Sequence, residues 1–238
     1  MRLEQLFQQL DHFLERDSVW DSRGVIAALL DVVTLFSRND LKSEVLKELD
    51  RNSAALSRMA RSEDVDPAKL KQLLERLDSY SRMLYATPGK IGISLSENEL
   101  FKSIAQRSTI PGGTCSFDLP AFHYWLQLED RQRKQCLELW VQPFRLILSA
   151  IDTLLNFLRT SAIPTSESAS AGFFQKTLDH TLSYQLLRVG VRRETECYAE
   201  ISGGKHRFTV RFMKPDGVGG RPVQCSEDVP FQLTCCLI

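Results

Sequence analysis

The residues of this chain best suited to chemistry lie in one run near the C-terminus, Ile201 to Met213, with the sequence ISGGKHRFTVRFM. Alternate residues of a β-strand point to opposite faces, so the run predicts a strand with one apolar and one cationic face. The apolar face carries His206, Phe208, Val210 and Phe212, and the cationic face carries Lys205, Arg207, Thr209 and Arg211. Arg207 and Arg211 would stand about 13 Å apart. Their guanidinium groups favour an extended acidic segment, although a solvated outer sheet face has the same pattern.

Motifs for catalysis or metal binding are sparse. The histidines at 12, 123, 180 and 206 are not paired at helical spacing, and neither HExxH nor GxSxG occurs. The run TPGKIGIS around Gly89 lacks two residues that a phosphate loop requires, so it predicts a turn that ends a helix. His206 with Cys225, Cys235 and Cys236 lacks the close ligand pairs of a zinc site. We therefore predict no catalytic residue, no metal site and no cofactor.

Charge and composition limit the classes of partner. The 238 residues carry 30 Lys and Arg against 30 Asp and Glu, so no net field attracts nucleic acid. The N-terminus has no secretory leader, and no apolar run reaches the roughly 20 residues of a membrane span, so a cytoplasmic protein without direct membrane insertion is expected. The six cysteines form no CxxC pair and are expected to be reduced. Of the adjacent Cys235 and Cys236, at most one should face the core, which leaves the other open to oxidation.

The elements that must position these side chains begin with helices. From residue 1 to about 159, apolar residues recur at spacings of three and four, which predicts successive amphipathic helices. The second and third helices are expected to form a hairpin across Asn39 and Asp40. Asp66 followed by Pro67 predicts a helix start, and Ser96 with Glu99 predicts a capping box for a helix that ends near Ser108.

A corner at Pro111-Gly112-Gly113 separates these helices from two more. Paired glycines permit a tight turn, and the first helix is expected after Asp118. The second is expected from about Asp130 to Arg159 with a bend at Pro143. His123, between Phe122 and Tyr124 on the first of these helices, has the pattern of a hydrogen-bonded core or interface residue.

The character of the sequence changes after residue 160. Residues 161–172 are small and polar with no hydrophobic period, which predicts a linker. Short runs rich in β-branched and aromatic residues then predict one small antiparallel sheet. These runs are Phe173 to Leu178, Tyr184 to Val191, Cys197 to Ile201, His206 to Met213 and Pro230 to Cys236. The predicted fold class is α+β, with a multi-helix domain at 1–160, a linker at 161–172 and a β-rich domain at 173–238.

Three stretches of the sequence together are distinctive. The first is the run LKELDR at residues 46–51. The second is IPGG at 110–113 with CSFDLP at 115–120, His123 and Trp125-Leu126. The third is Ile201-Ser202-Gly203 with Lys205, Arg207-Phe208 and Arg211-Phe212-Met213. Together they resemble the Z-ring-associated protein D family of bacterial cell-division factors, and the likeness spans nearly the whole chain.

The resemblance implies a function as well as a fold. It implies a homodimer that takes the C-terminal tail of the tubulin-like GTPase FtsZ into a basic groove at the midcell division site. By crosslinking and bundling FtsZ filaments, such a dimer supports Z-ring assembly and septation without catalysis or a cofactor. The family's basic binding positions carry over to Arg207, Arg211, Arg38, Lys205, Lys42, Arg2 and His123.

This chain also departs from the family's pattern. Family members usually carry a short segment before the run that Met1-Arg2-Leu3-Glu4 resembles, so a late start is expected. A basic position in the helix before Pro111 is acidic here, at Glu99. Further cations at Arg51, Lys102 and Arg107 could converge on the same groove, which is a hypothesis that the sequence does not test.

Two other classes of function stay open on the sequence alone. A nucleic-acid-binding module could use the same basic strand to hold phosphates. Net neutrality counts against it, as does the absence of aromatic residues on the face of Lys205, Arg207 and Arg211, because single strands bind by stacking. The third class is an enzyme whose site matches no familiar motif.

Overall fold

The computed structural model describes residues 1–59, 66–204, 206–217 and 219–237. The chain divides into two compact units, Met1–Leu154 and Leu155–Ile238. Helices form the first unit, and the strands of the described residues lie in the second. The predicted α+β class, with helices followed by antiparallel β-structure, is confirmed.

Amphipathic helices build the first unit, and side chains cap the first turns of several of them. Ser18 and Asp21 form a capping box at the start of the second helix. The Asp66 carboxylate accepts hydrogen bonds from the backbone N–H groups of Ala68 and Lys69, as predicted. The helices are α1 (Arg2–Leu14), α2 (Val19–Arg38), α3 (Leu41–Met59), α4 (Pro67–Ala86), α5 (Ile93–Ser96), α6 (Glu99–Ser108), α7 (Pro120–Leu126) and α8 (Asp130–Thr160).

The capping box predicted from Ser96 and Glu99 is wrong. Ser96 instead ends the short helix α5, which starts after Gly92 in the left-handed region at φ +80°. The side chain of Asn98 caps α6 by accepting a hydrogen bond from Phe101 N–H at 3.0 Å. The observed cap, Asn98, therefore lies two residues after the Ser96 that the sequence pattern suggests.

The first four helices form two close pairs. Helices α1 and α2 pack closely together, as do α3 and α4, while α2 and α3 approach each other less closely than either pair. The hairpin expected of α2 and α3 stays a prediction, and Asn39 between them has an extended backbone (φ −131°, ψ 145°). The core of this unit combines aliphatic side chains with aromatic contacts, in which the ring centroids of Phe36 and Phe144 lie 5.3 Å apart and those of Trp125 and Trp140 lie 5.8 Å apart.

The predicted corner at Pro111-Gly112-Gly113 is confirmed. Gly112 adopts φ +75°, a backbone conformation that residues with a side chain rarely adopt. A Cβ added to Gly113 would lie 2.6 Å from the backbone oxygen of Arg107. Both glycines are therefore required for the chain to turn from α6 towards α7.

Two antiparallel sheets form the second unit where the sequence predicts one. The first has the strand order β1-β7-β3, and the second has β2-β5-β4 with β6 paired to β5. The strands are β1 (Thr165–Ala169), β2 (Phe173–Thr177), β3 (Tyr184–Gly190), β4 (Tyr198–Gly203), β5 (Arg207–Lys214), β6 (Val223–Gln224) and β7 (Val229–Leu237). Inward-facing side chains of both sheets form one core, in which the rings of Phe212 and Phe231 lie 5.1 Å apart.

Strand β1 lies inside the range 161–172 that the sequence predicts to be a linker. Its residues, TSESA, have no hydrophobic alternation, and only Ala169 is fully buried. Pairing with β7 holds this segment, from Thr165 opposite Leu233 to Ala169 opposite Val229. Pairing with a distant strand produces no pattern in the local sequence, so the residues of β1 do not predict a strand.

The neighbouring cysteines near the C-terminus do point to opposite faces, yet neither is open to solvent. Cys236 is fully buried, and Cys235 is half-buried against the core of the sheets. Burial raises the pKa of both thiols. The expectation that one of the two is exposed to oxidation is therefore wrong, because both faces of β7 are covered here.

Candidate partner-binding surfaces

The outer face of β5 carries the two arginines that the sequence singles out. Arg207 and Arg211 are exposed, with the half-buried Thr209 between them. On the opposite face Phe208, Val210 and Phe212 are at most 1% exposed. The predicted alternation of apolar and cationic residues is thus present from residue 207 to residue 212. We call the outer side of β2, β4 and β5 the β5 face.

Two members of the predicted strand do not extend this alternation. His206 is exposed and precedes β5, so it does not join the apolar face as predicted. Its backbone oxygen accepts a hydrogen bond from Leu178 N–H at 2.8 Å, which joins the end of β2 to the start of β5. Lys205 lies outside the described residues.

Strand register decides what surrounds each arginine. Residues directly opposite one another in an antiparallel pair point to the same side of the sheet. Arg211 is flanked by Phe173 of β2 and by Glu200 of β4. Arg207 is flanked by Thr177 of β2 and by the turn at Gly204, whose N–H donates to Arg207 O at 2.9 Å. The β5 face is therefore less uniformly cationic than the strand sequence alone indicates.

Aromatic side chains are also present on this face, contrary to the expectation from the β5 sequence. Phe173, opposite Arg211, is 38% exposed, and Tyr198, opposite Met213, is 40% exposed. Both belong to neighbouring strands, so inspection of β5 by itself misses them. The argument against single-stranded nucleic acid that rested on missing aromatics is consequently wrong.

A second basic surface lies in the helical unit, where α2 ends and α3 begins. A pocket of about 530 Å³ is lined by Arg38, Lys42 and Lys90. The Nζ atom of Lys42 donates to the backbone oxygen of Thr87 at 2.6 Å, which fixes this side chain between α3 and the end of α4. The structure therefore brings together two of the predicted binding residues, Arg38 and Lys42, and adds Lys90. We call this the α2–α3 pocket.

One carboxylate belongs to the same pocket. Asp40 lines it and accepts hydrogen bonds from the hydroxyl and the backbone N–H of Ser43. These hydrogen bonds, with the positive charge of Lys42, lower the pKa of Asp40 below its ordinary value. Asp40 is thus ionised at neutral pH and reduces the positive potential of the pocket.

The remaining predicted binding residues lie elsewhere in the helical unit. Arg2 is the exposed first residue of α1, and His123 is exposed on α7. Neither lines the α2–α3 pocket. His123 is not the core residue that its neighbours suggest, because Phe122 turns inward while His123 and Tyr124 face solvent.

Comparison with known proteins identifies the family. A family model described as ZapD, Cell division protein, matches residues 1–211. The Cell division protein ZapD of Methylococcus capsulatus is 52% identical over 240 residues, which cover 100% of this chain and 93% of that protein. Cell division protein ZapD of Nitrosomonas europaea is 37% identical over 236 residues, or 99% of this chain and 89% of that protein.

The chain belongs to the ZapD family of cell division proteins. This result confirms the family resemblance inferred from the three sequence stretches at 46–51, 110–126 and 201–213. The ZapD match includes the helical unit and the β-rich unit as far as Arg211, so it covers the α2–α3 pocket and the β5 face up to that residue. The family description names cell division and no catalytic activity.

Neither a metal site nor a membrane span is found among the described residues. No group of three or more His, Cys, Asp or Glu side chains is placed there to hold a metal ion. No helix in the described part of this ZapD chain is long and apolar enough to cross a membrane.

Sequence reasoning missed four residues of the two candidate surfaces. Phe173, Tyr198 and Glu200 join the β5 face through strand pairing, and Lys90 joins the α2–α3 pocket. Alternation within β2 and β4 could have assigned the first three to a face, yet only the register shows that they flank Arg211 and Met213. No sequence signal connects Lys90 with Arg38, because 51 residues separate them in the chain.

Proposed function

We propose that this protein binds the acidic C-terminal tail of FtsZ through the β5 face and, as a homodimer, crosslinks FtsZ filaments at the midcell division site. The observation that carries this proposal is the exposed pair of Arg207 and Arg211 on the outer side of a well-packed strand. Membership in a cell division family supports the same role. The protein acts by binding, without catalysis or a cofactor.

The chemistry of the β5 face suits an extended acidic ligand. Guanidinium groups donate paired, charge-assisted hydrogen bonds to carboxylates. An extended peptide advances about 3.3 Å per residue, so carboxylates four residues apart would match the spacing of Arg207 and Arg211. Phe173 and Tyr198 add partly exposed rings on which apolar side chains of the tail could pack.

The α2–α3 pocket is the proposed second basic contact. Arg38 and Lys90 are exposed there, and Lys42 is already fixed by its bond to Thr87. Arg2, Lys205 and His123 complete the set of proposed contacts. Each ion pair at an exposed site contributes only about 0.2–1 kcal/mol, so several are needed for specific binding.

Dimerisation converts weak tail binding into filament crosslinking. A symmetric dimer presents two equivalent tail sites, and a filament displays many tails. Once one site is occupied, the second binds at high effective concentration, which increases avidity without any new contact. A dimer whose two sites engage different filaments bundles them.

A binding titration with charge-reversed variants tests the proposal. A fluorescently labelled FtsZ tail peptide should show saturable anisotropy with the wild type and at least tenfold weaker binding to the double variant Arg207→Glu, Arg211→Glu. The matched control is Arg192→Glu, Arg221→Glu, which changes the net charge equally at two other exposed arginines. Equal loss of binding in both double variants would refute a specific role for the β5 face.

Single-stranded nucleic acid is the second candidate ligand of the β5 face. The exposed Phe173 beside Arg211 favours it, because aromatic rings and arginines together form stacking platforms. A labelled oligothymidine in the same titration separates the two ligands. The FtsZ proposal predicts that the oligonucleotide neither binds at comparable concentration nor competes with the tail peptide.

A further inference from the structure

A shallow apolar groove in the helical unit is not used by the proposed FtsZ contacts. Its volume is about 320 Å³, and it lies between α2, α6 and the corner that leads to α7. Ile26, Ile104 and Phe122 are at most 2% exposed and form its floor. Ala27, Leu30 and Ile110 form its rim, and Ile110 is 49% exposed. The volume is at the small end of the roughly 300–1,000 Å³ typical of ligand pockets, enough for one or two apolar side chains.

Arg23 closes one end of this groove and supplies the only charge among the described residues that line it. Its guanidinium donates to the hydroxyl and the backbone oxygen of Thr114, both at 3.2 Å. The same group lies 4.9 Å from the ring centroid of Phe122 and 5.6 Å from that of Trp20. Arg23 is thus held rigidly by neutral partners, and no carboxylate of the described residues forms an ion pair with it.

A half-buried, fixed cation without an acidic partner complements an anionic group. Arg23 has already lost much of its conformational freedom, so binding a carboxylate there requires little further ordering. Trp20 continues the surface beyond Arg23 and is 78% exposed, a large value for an aromatic side chain. Tryptophan and arginine are the residue types most enriched where protein partners bind most strongly.

We propose that this groove binds a peptide segment of a partner protein in which a bulky apolar residue is close to an Asp or Glu. The apolar side chain occupies the space between α2 and the Ile110 rim, and the carboxylate pairs with Arg23. None of the residues that line this groove lines the α2–α3 pocket or belongs to the β5 face. It gives the protein a second kind of partner contact, independent of the proposed FtsZ binding.

Selection from a random phage-displayed peptide library tests the groove and requires no candidate partner. The bait is the full-length wild type, with counter-selection on Ala27→Trp. Ala27 is exposed on α2, so a tryptophan there fills the groove without disturbing the core. Ala54→Trp, an exposed alanine in the middle of α3, is the matched control. The enriched peptides should share an apolar residue within a few positions of Asp or Glu.

Binding of a synthetic enriched peptide then measures each contact. Ala27→Trp and Arg23→Met should each weaken binding about tenfold or more, the loss expected for one anchor or one charge-assisted hydrogen bond. Ala54→Trp and the double variant Arg207→Glu, Arg211→Glu should bind as the wild type does. Trp20 should become less accessible to acrylamide in the complex.

Three results would overturn the proposal. The first is a selection that enriches nothing on the wild type relative to Ala27→Trp. The second is enrichment of peptides whose affinity does not change in Arg23→Met, which removes the role of the carboxylate. The third is self-association of the wild type, measured by sedimentation, that Ala27→Trp abolishes, because the groove would then be an interface between two copies of this chain.

Discussion

Arg211 on β5 is the register partner of Glu200 on β4, and these two exposed side chains do not form an ion pair. The Cβ atoms of such partners lie about 5 Å apart, so the carboxylate and the guanidinium project from the same side of the sheet. An acidic ligand that approaches Arg211 therefore meets a like charge at close range. We therefore expect Glu200 to limit the affinity of the β5 face for an acidic ligand.

Neutralising Glu200 should strengthen binding of the FtsZ tail peptide. Glu200→Gln removes the repulsion and keeps the shape of the side chain, so the dissociation constant should fall about twofold to fivefold, as for exposed charge pairs of about 0.2–1 kcal/mol. Glu227→Gln, at another exposed site, serves as the control for net charge. Equal effects of the two variants would mean that only the overall charge matters.

Binding to the β5 face should weaken as salt is added. Exposed charges are screened over about 8 Å at physiological ionic strength, and over less at higher salt. The dissociation constant of the tail peptide should therefore rise at least threefold between about 0.05 M and 0.3 M salt. Titrations at several salt concentrations measure this slope. Affinity that stays constant would indicate that apolar contacts, such as Phe173 and Tyr198, dominate instead.

Arg133 should be essential for stability rather than for binding. This residue is 6% exposed, and its guanidinium donates to Ser22 Oγ and to the backbone oxygens of Asp17 and Leu128. Arg133→Met removes three hydrogen bonds made by a charged group and leaves the buried Ser22 Oγ without this donor, so the free energy of unfolding should fall by about 3 kcal/mol.

Urea denaturation of the Arg133 variant is compared with that of Arg131→Met. Arg131 is exposed on the same helix, so its variant should unfold within about 0.5 kcal/mol of the wild type. A stability of Arg133→Met close to that of its neighbour would show that these hydrogen bonds contribute little.

Thiol alkylation should distinguish the cysteines by burial. The thiolate is the reactive form, and burial raises the pKa of the thiols of Cys136, Cys197, Cys235 and Cys236. A raised pKa moves the onset of reaction to higher pH, so these residues should react slowly with iodoacetamide near pH 8. Exposed Cys115 should be modified first. Mass spectrometry of the time course locates each adduct, and early modification of Cys236 would contradict the described packing of β7.

Sequence patterns predict the parts of this protein that depend on local periodicity. The alternation along β5 correctly places Phe208, Val210 and Phe212 inside and the arginines outside. The start of α4 at Asp66, which has a strong local cap, is also predicted correctly. These features depend on neighbours within a few residues, which the sequence displays directly.

Features that depend on distant partners are the ones that the sequence does not reveal. Strand β1 forms only because β7 pairs with it, and Glu200 and Phe173 flank Arg211 only through register. Similarly, the burial of Arg133 requires acceptors more than 100 residues away in the chain, at Asp17 and Ser22. Charge alone would place Arg133 on the surface, where most arginines lie.

A charge-swap titration tests the central claim most directly. The double variant Arg207→Glu, Arg211→Glu is titrated with the wild-type tail peptide and with a peptide whose acidic residues are replaced by lysine. Direct pairing predicts that the wild type binds only the acidic peptide and that the reversed protein regains binding only with the reversed peptide. The contradicting result is that the lysine peptide binds the Arg207→Glu, Arg211→Glu variant no better than it binds the Arg192→Glu, Arg221→Glu control. In that case the tail does not contact Arg207 and Arg211, and the proposed site on the β5 face is wrong.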